Sequence, residues 1–160
     1  MSALTSFDDL VAFLDANKFP HKLDRAGQVV ELPTNDPNLP GNLYLRWDKQ
    51  LPFIQLIQFV IHDVPAARIA DLCRAIVMLN NKIEFPGFGF DDENRRLYNR
   101  TVVPVVPSID PMLLNRLGQG CVKQAQAFAP AFKAVVGGKA GTDILALGAE
   151  AISNMRSRVS

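Results

Sequence analysis

The chain has 160 residues, 48% hydrophobic and 21% charged, the composition of an ordinary globular domain and too apolar for a disordered one. Seventeen Lys plus Arg against sixteen Asp plus Glu leave a net charge of +1, which excludes a charge-driven attachment to nucleic acid or a membrane surface. The first ten residues hold Asp8 and Asp9 and no Lys or Arg, so no secretory signal is expected and the protein is placed in the cytoplasm.

Thr5-Ser6 predicts a helix cap, with Asp8 and Asp9 in the first turn, where the helix dipole favours negative charge. Phe7, Leu10, Val11 and Leu14 form one apolar stripe, and Pro20 ends the helix near Asn17. His21 to Arg25 and Gln28 to Leu32 flank Ala26-Gly27 as a hairpin, and Thr34 to Gly41, with Pro37 and Pro40, is a loop. Leu43, Leu45 and Trp47 alternate with polar neighbours as one face of a strand.

The segment Leu51 to Ile61 is different. Phe53, Ile57, Phe59 and Ile61 point one way, and Ile54, Leu56 and Val60 point the other. A sheet covered on one side shows a polar outer face, so something must cover this second apolar face. A helix from the same chain or a partner subunit satisfies that requirement. Phe53, Ile57, Phe59 and Ile61 are therefore the candidate partner-binding or dimer residues.

Pro65 opens a helix with the stripe Ile69, Leu72, Cys73, Ile76 and Leu79, ending at Asn80-Asn81. A hairpin follows, Phe85 to Phe90 and Arg95 to Val105, around Asp91-Asp92-Glu93-Asn94. Pro111 starts a third helix whose broad apolar face holds Leu113, Leu114, Leu117, Cys121, Ala125, Phe128 and Phe132, weakened or kinked by Gly118, Gly120 and Pro130. Gly137-Gly138 ends it, and a last helix is expected from Thr142 to about Met155. Strands in consecutive runs indicate an α+β fold with an antiparallel sheet of five or six strands flanked by helices: a helix, three or four strands, a helix, two strands, a helix and an extra C-terminal helix. The expected organisation is a domain over residues 1–138 and a helical extension over 139–160, packed on that domain or on a partner.

Catalytic and metal motifs are weak. His62-Asp63 are strand neighbours facing opposite ways, and Cys73 and Cys121 lie on apolar helical faces, where a thiol stays protonated. His21, His62, Cys73 and Cys121 lack the paired spacing of a zinc site. Gly137 to Thr142 fails the phosphate-loop pattern, because Ala140 follows Lys139 and Lys133 occupies the earlier glycine position. Asp91, Asp92 and Glu93 read as a solvated turn beside Arg95, Arg96 and Arg100. Arg116, Lys123, Lys133 and Lys139 read as a solvated helix face rather than a nucleic-acid patch. No catalytic residue, cofactor or metal ligand is assigned.

The stretch from Leu72 to Thr101 resembles the bacterial YbjN-like family. Leu79-Asn80 fits the helix end, Gly87, Phe88, Phe90 and Asp91 fit a strand, and Arg96-Leu97 with Arg100 fit its return. The order of elements from Ser6 to Gly138 is similar to the fold that this family shares with type III secretion chaperones. The proline-rich loop Thr34 to Gly41 and the tail after Gly138 depart from it. The resemblance implies a non-enzymatic, dimeric protein that binds extended polypeptide or acts in stress or sensory regulation. The alternative is a small-molecule binder or enzyme with an apolar pocket between the sheet and the third helix.

Overall fold

Helix α1 (Phe7–Ala16) starts where its backbone donors find side-chain partners. Ser6 Oγ accepts the Asp9 N–H at 3.2 Å, and the Asp9 carboxylate accepts the Thr5 and Ser6 N–H groups at 2.9 and 3.1 Å. This reciprocal box stabilises the first turn and directs Phe7, Leu10, Val11 and Leu14 into the core. The computed structural model describes residues 3–157, so the outermost positions of the expected segments, 1, 2 and 158–160, lie outside the described residues.

Strands β1 (Lys22–Asp24), β2 (Val29–Leu32), β3 (Leu43–Trp47), β4 (Phe53–Ile61), β5 (Phe88–Asp91) and β6 (Arg96–Pro104) form one six-stranded sheet in the order β1-β2-β3-β4-β6-β5. Four strands precede helix α2 (Ile69–Asn80), the larger of the two expected numbers. β5 begins at Phe88 rather than Phe85, whose side chain is 71% exposed, because Pro86 and Gly87 interrupt the extended run.

The described residues form two compact units, one of 3–37, 41–58 and 100–123 and one of 38–40, 59–99 and 124–157. The first has a core of Leu10 and Leu14 from α1, Leu43, Leu45 and Trp47 from β3, Ile54 and Leu56 from β4, and Leu114 and Cys121 from helix α3 (Pro111–Val136). In the second, Phe88 lies 5.7 Å from the Phe128 ring and 4.9 Å from the Phe132 ring, and α2 contributes Leu72, Ala75 and Leu79, all fully buried.

Helix α3 runs unbroken for 26 residues, against the expectation of weakening. Pro130 withholds one backbone donor, but Phe128, Ala129, Ala131 and Phe132 around it are buried, and that packing outweighs the lost bond. Gly118 has a packing role, because a side chain there would come within 3.2 Å of Leu43. Leu113, assigned to the apolar face, is 47% exposed instead.

The single last helix is corrected to two short ones, α4 (Ile144–Leu147) and α5 (Ala149–Arg156), separated at Gly148. An added Cβ at Gly148 would lie 3.2 Å from the Phe128 ring and 3.1 Å from the Ile144 carbonyl oxygen, so the site is tight for any side chain. Only Ile144 of these helices is fully buried, and Leu147 is 38% exposed. The tail is held to α2 by two residues of one turn. Arg68 donates through Nε and Nη2 to the Val135 carbonyl at 3.1 and 2.7 Å, beside the Gly138 N–H that the same carbonyl accepts at 3.1 Å at the end of α3. Its Nη1 pairs with Asp71 at 3.0 Å, and Asp71 Oδ1 accepts the Gly141 N–H at 3.1 Å.

Gly141 lies so close to α2 that a Cβ would sit 2.1 Å from the Asp71 carbonyl oxygen. Gly141→Ala is expected to destabilise the protein by about 3 kcal/mol in urea unfolding, the upper range for forced overpacking. Gly120→Ala, where the added carbon meets nothing within 4 Å, should leave stability unchanged or raise it slightly.

Candidate interaction site

Strand β4 buries alternate residues. Ile54, Leu56, Gln58 and Val60 are fully buried, whereas Phe53, Gln55, Ile57, Phe59 and Ile61 are half-buried on the opposite face. The four residues singled out from the sequence thus share one side of one strand.

In the first unit, Ile57 stands opposite Tyr44 and Gln55 opposite Arg46, while β2 sets Glu31 opposite Tyr44 and Val29 opposite Arg46. Phe53 and Ile57 therefore belong to a face that also carries an aromatic hydroxyl and charges of both signs. In the second unit, the Arg96 guanidinium lies 4.3 Å from the centre of the Phe59 ring, and His62 meets that ring edge-on at 5.3 Å. A cation above an aromatic face is attracted by its quadrupole and shields part of the ring while leaving charge at the surface. The sequence reading missed Tyr44, Arg46 and Arg96 because cross-strand register decides their positions. Phe59 and Ile61 are half-buried.

The other candidates are dispersed or inert. Burial pushes the Cys121 thiol up to about 11, and burial with the nearby Asp92 charge raises Cys73. Both thiols are thus protonated at neutral pH and poor nucleophiles. His62 and Asp63 are exposed after β4, the latter with φ of 55°. Among the described residues, no group of three or more His, Cys, Asp or Glu is placed to hold a metal ion. The glycine-rich turn commits the Gly141 N–H to Asp71. Among the described residues, no helix is long and apolar enough to cross a membrane.

The segment from Leu79 to Arg96 is a structural lock. Leu79 is fully buried, and the Asn80 carboxamide bonds the backbone of Gly87 and Phe88. Gly89 lies under the Tyr98 ring, where a Cβ would come within 2.5 Å. Asp91 accepts from Arg96 Nη2 at 2.8 Å and from Asn94, closing the hairpin turn. The Arg96 hydrogen bond, helped by Asn94, holds the Asp91 carboxyl below its ordinary value of 3.8. A depressed carboxylate contributes stability above its unfolded pKa, and that contribution is lost as pH falls below 3.8 and through the folded value. Arg96→Met should return the Asp91 titration, followed by carboxyl NMR, toward 3.8 and reduce the acid sensitivity of hairpin stability.

No protein-family model matches the chain, and comparison with curated proteins gives no match. Among solved structures, YbjN from E. coli, a candidate transcription regulator, superposes with a TM-score of 0.61 at 14% identity, covering 78% of this chain and 89% of that one. A chain of the HopA1–SchA chaperone–effector complex superposes with a TM-score of 0.52 at 17% identity, covering 77% of this chain and 93% of that one. These similarities join the helix–sheet order and the hairpin to one conclusion: this chain has the YbjN-like, type III secretion chaperone-like fold.

Proposed function

We propose that this chain is a non-enzymatic, cytoplasmic protein-interaction domain that binds a partner polypeptide through the half-exposed side of β4. The observation that carries this reading is the placement of Phe53, Ile57, Phe59 and Ile61 on one side of a strand whose opposite side is already fully buried. Large apolar side chains left at a surface gain by removal from water when a partner covers them, at about 25 cal/mol per Å². Tyr44 opposite Ile57, Arg46 opposite Gln55, and Arg96 over Phe59 add the aromatic and guanidinium groups enriched at protein interfaces. The similarity to a chaperone in complex with its effector, and to a candidate regulator, supports a polypeptide partner rather than a substrate.

A second copy of the chain is the simplest such partner, giving a homodimer, and a regulatory or chaperone client is the other. On the third helix, Phe128 and Phe132 are fully buried and pack against Phe88, which supports the interaction reading over an apolar ligand pocket between the sheet and that helix.

Ile57→Glu places a charge on this side without touching the buried row. It should preserve the circular-dichroism spectrum and thermal unfolding while weakening self-association by about thirtyfold, the effect of losing one interface hot spot. Light scattering across a concentration series reads this, and capture from lysate by the wild-type chain and the variant reads client binding. Undiminished self-association and an unchanged set of captured proteins in a folded Ile57→Glu variant would refute the assignment of this face.

A further inference from the structure

A six-stranded open sheet has two edges, and an edge strand offers unpaired N–H and C=O groups to any extended chain. β5 is one of those edges, paired with β6 on its inner side alone. In an antiparallel ladder the N–H and C=O of one residue point the same way, and successive residues alternate. The outward pair at the start of β5 belongs to Phe88.

Both of its groups are occupied. Phe88 N–H donates to Asn80 Oδ1 at 3.2 Å, Asn80 Nδ2 donates to the Phe88 carbonyl at 2.8 Å, and Gly87 N–H donates to the same Oδ1 at 3.3 Å. A primary carboxamide presents an acceptor and a donor side by side, as a peptide group of a neighbouring strand would. Asn80 is the last residue of α2, anchored by fully buried Leu79, so its side chain is delivered to the edge by a fixed helix end. Phe88 is fixed from the other side by its ring, packed on Phe128 and Phe132. The strand ends at Asp91, so alternation leaves Phe90 as its one further outward residue.

We propose that Asn80 acts as a one-residue substitute for a neighbouring strand and closes the β5 edge to strand addition. A single outward residue is too short a template for a β-partner, so polypeptide cannot extend the sheet there while Asn80 is in place. This goes beyond the β4 reading and stands whether or not that reading holds, because it concerns backbone groups at an edge and no side chain of β4.

The test uses the full chain carrying Ile57→Glu, so that association through β4 is suppressed and any association observed afterwards is separate from it. Amide exchange by NMR should show Gly87 and Phe88 exchanging at least tenfold more slowly than Phe90. Asn80→Leu, of similar size but without hydrogen-bonding atoms, should raise Phe88 exchange to the Phe90 rate and produce concentration-dependent association with gain of β signal. Asn80→Asp keeps the acceptor but loses the donor. It should keep Gly87 and Phe88 protected and associate less than Asn80→Leu, which keeps the inference testable if the leucine variant fails to fold. Equal exchange of Phe88 and Phe90 in the parent chain would overturn the proposal. So would a folded Asn80→Leu chain that stays in the parent's association state, or an Asn80→Asp chain whose Phe88 amide is no longer protected.

Discussion

A strand has two sides, and β4 is apolar on both. Its inner row, Ile54, Leu56 and Val60, is fully excluded from water, and Gln58 is taken into the interior with it. Leu45 and Trp47 of β3 stand opposite Leu56 and Ile54, so the neighbouring strand follows the same alternation. A slip of one residue would turn every buried side chain outward, and the hydrophobic pattern therefore holds the register. That demand leaves Phe53, Ile57, Phe59 and Ile61 on the opposite side, where they are half-buried. Placing these four residues there is the consequence of satisfying the inner row first.

Local signals made most of the elements legible. The Ser6 and Asp9 pair marks the start of α1, and the alternation of Leu43 to Trp47 matches its burial residue by residue. The apolar doubling of β4 was visible as well, because alternation needs no knowledge of distant contacts. What escaped depended on long-range packing. Pro130 and Gly118 look like helix breakers in isolation, yet buried neighbours hold one in place and close approach to Leu43 requires the other. Gly148 looks like a small residue inside a helix, but the helix divides there, where an added Cβ would come within 3.2 Å of the Phe128 ring. Tyr44, Arg46 and Arg96 belong to the candidate face through register and ring stacking, which sequence spacing does not specify.

The thirty-residue segment that first suggested a family also has a physical explanation. Its residues are joined by contacts rather than by a reaction: Leu79 in the core, Asn80 on the Gly87 and Phe88 backbone, Gly89 under Tyr98, Asp91 bound to Arg96. Each needs a particular atom type at a particular place, so substitution breaks geometry even where hydrophobicity is kept. The fold is shared with YbjN at 14% identity. Function does not follow from such a match, because the contacts that lock the hairpin account for scaffold alone.

The edge and the face place opposite demands on the same sheet. An open edge accepts almost any extended chain, since backbone groups are common to all sequences, and it invites aggregation. A side-chain face selects by shape and charge, and the β4 side carries both kinds of group, with Arg96 over Phe59 and Tyr44 opposite Ile57. Occupying the Phe88 groups with Asn80 suppresses the unselective route at β5 at the expense of one half-buried carboxamide, which gains a donor and an acceptor partner in the process. Under the proposed reading recognition then falls to side chains, and β4 carries apolar ones on its half-buried side.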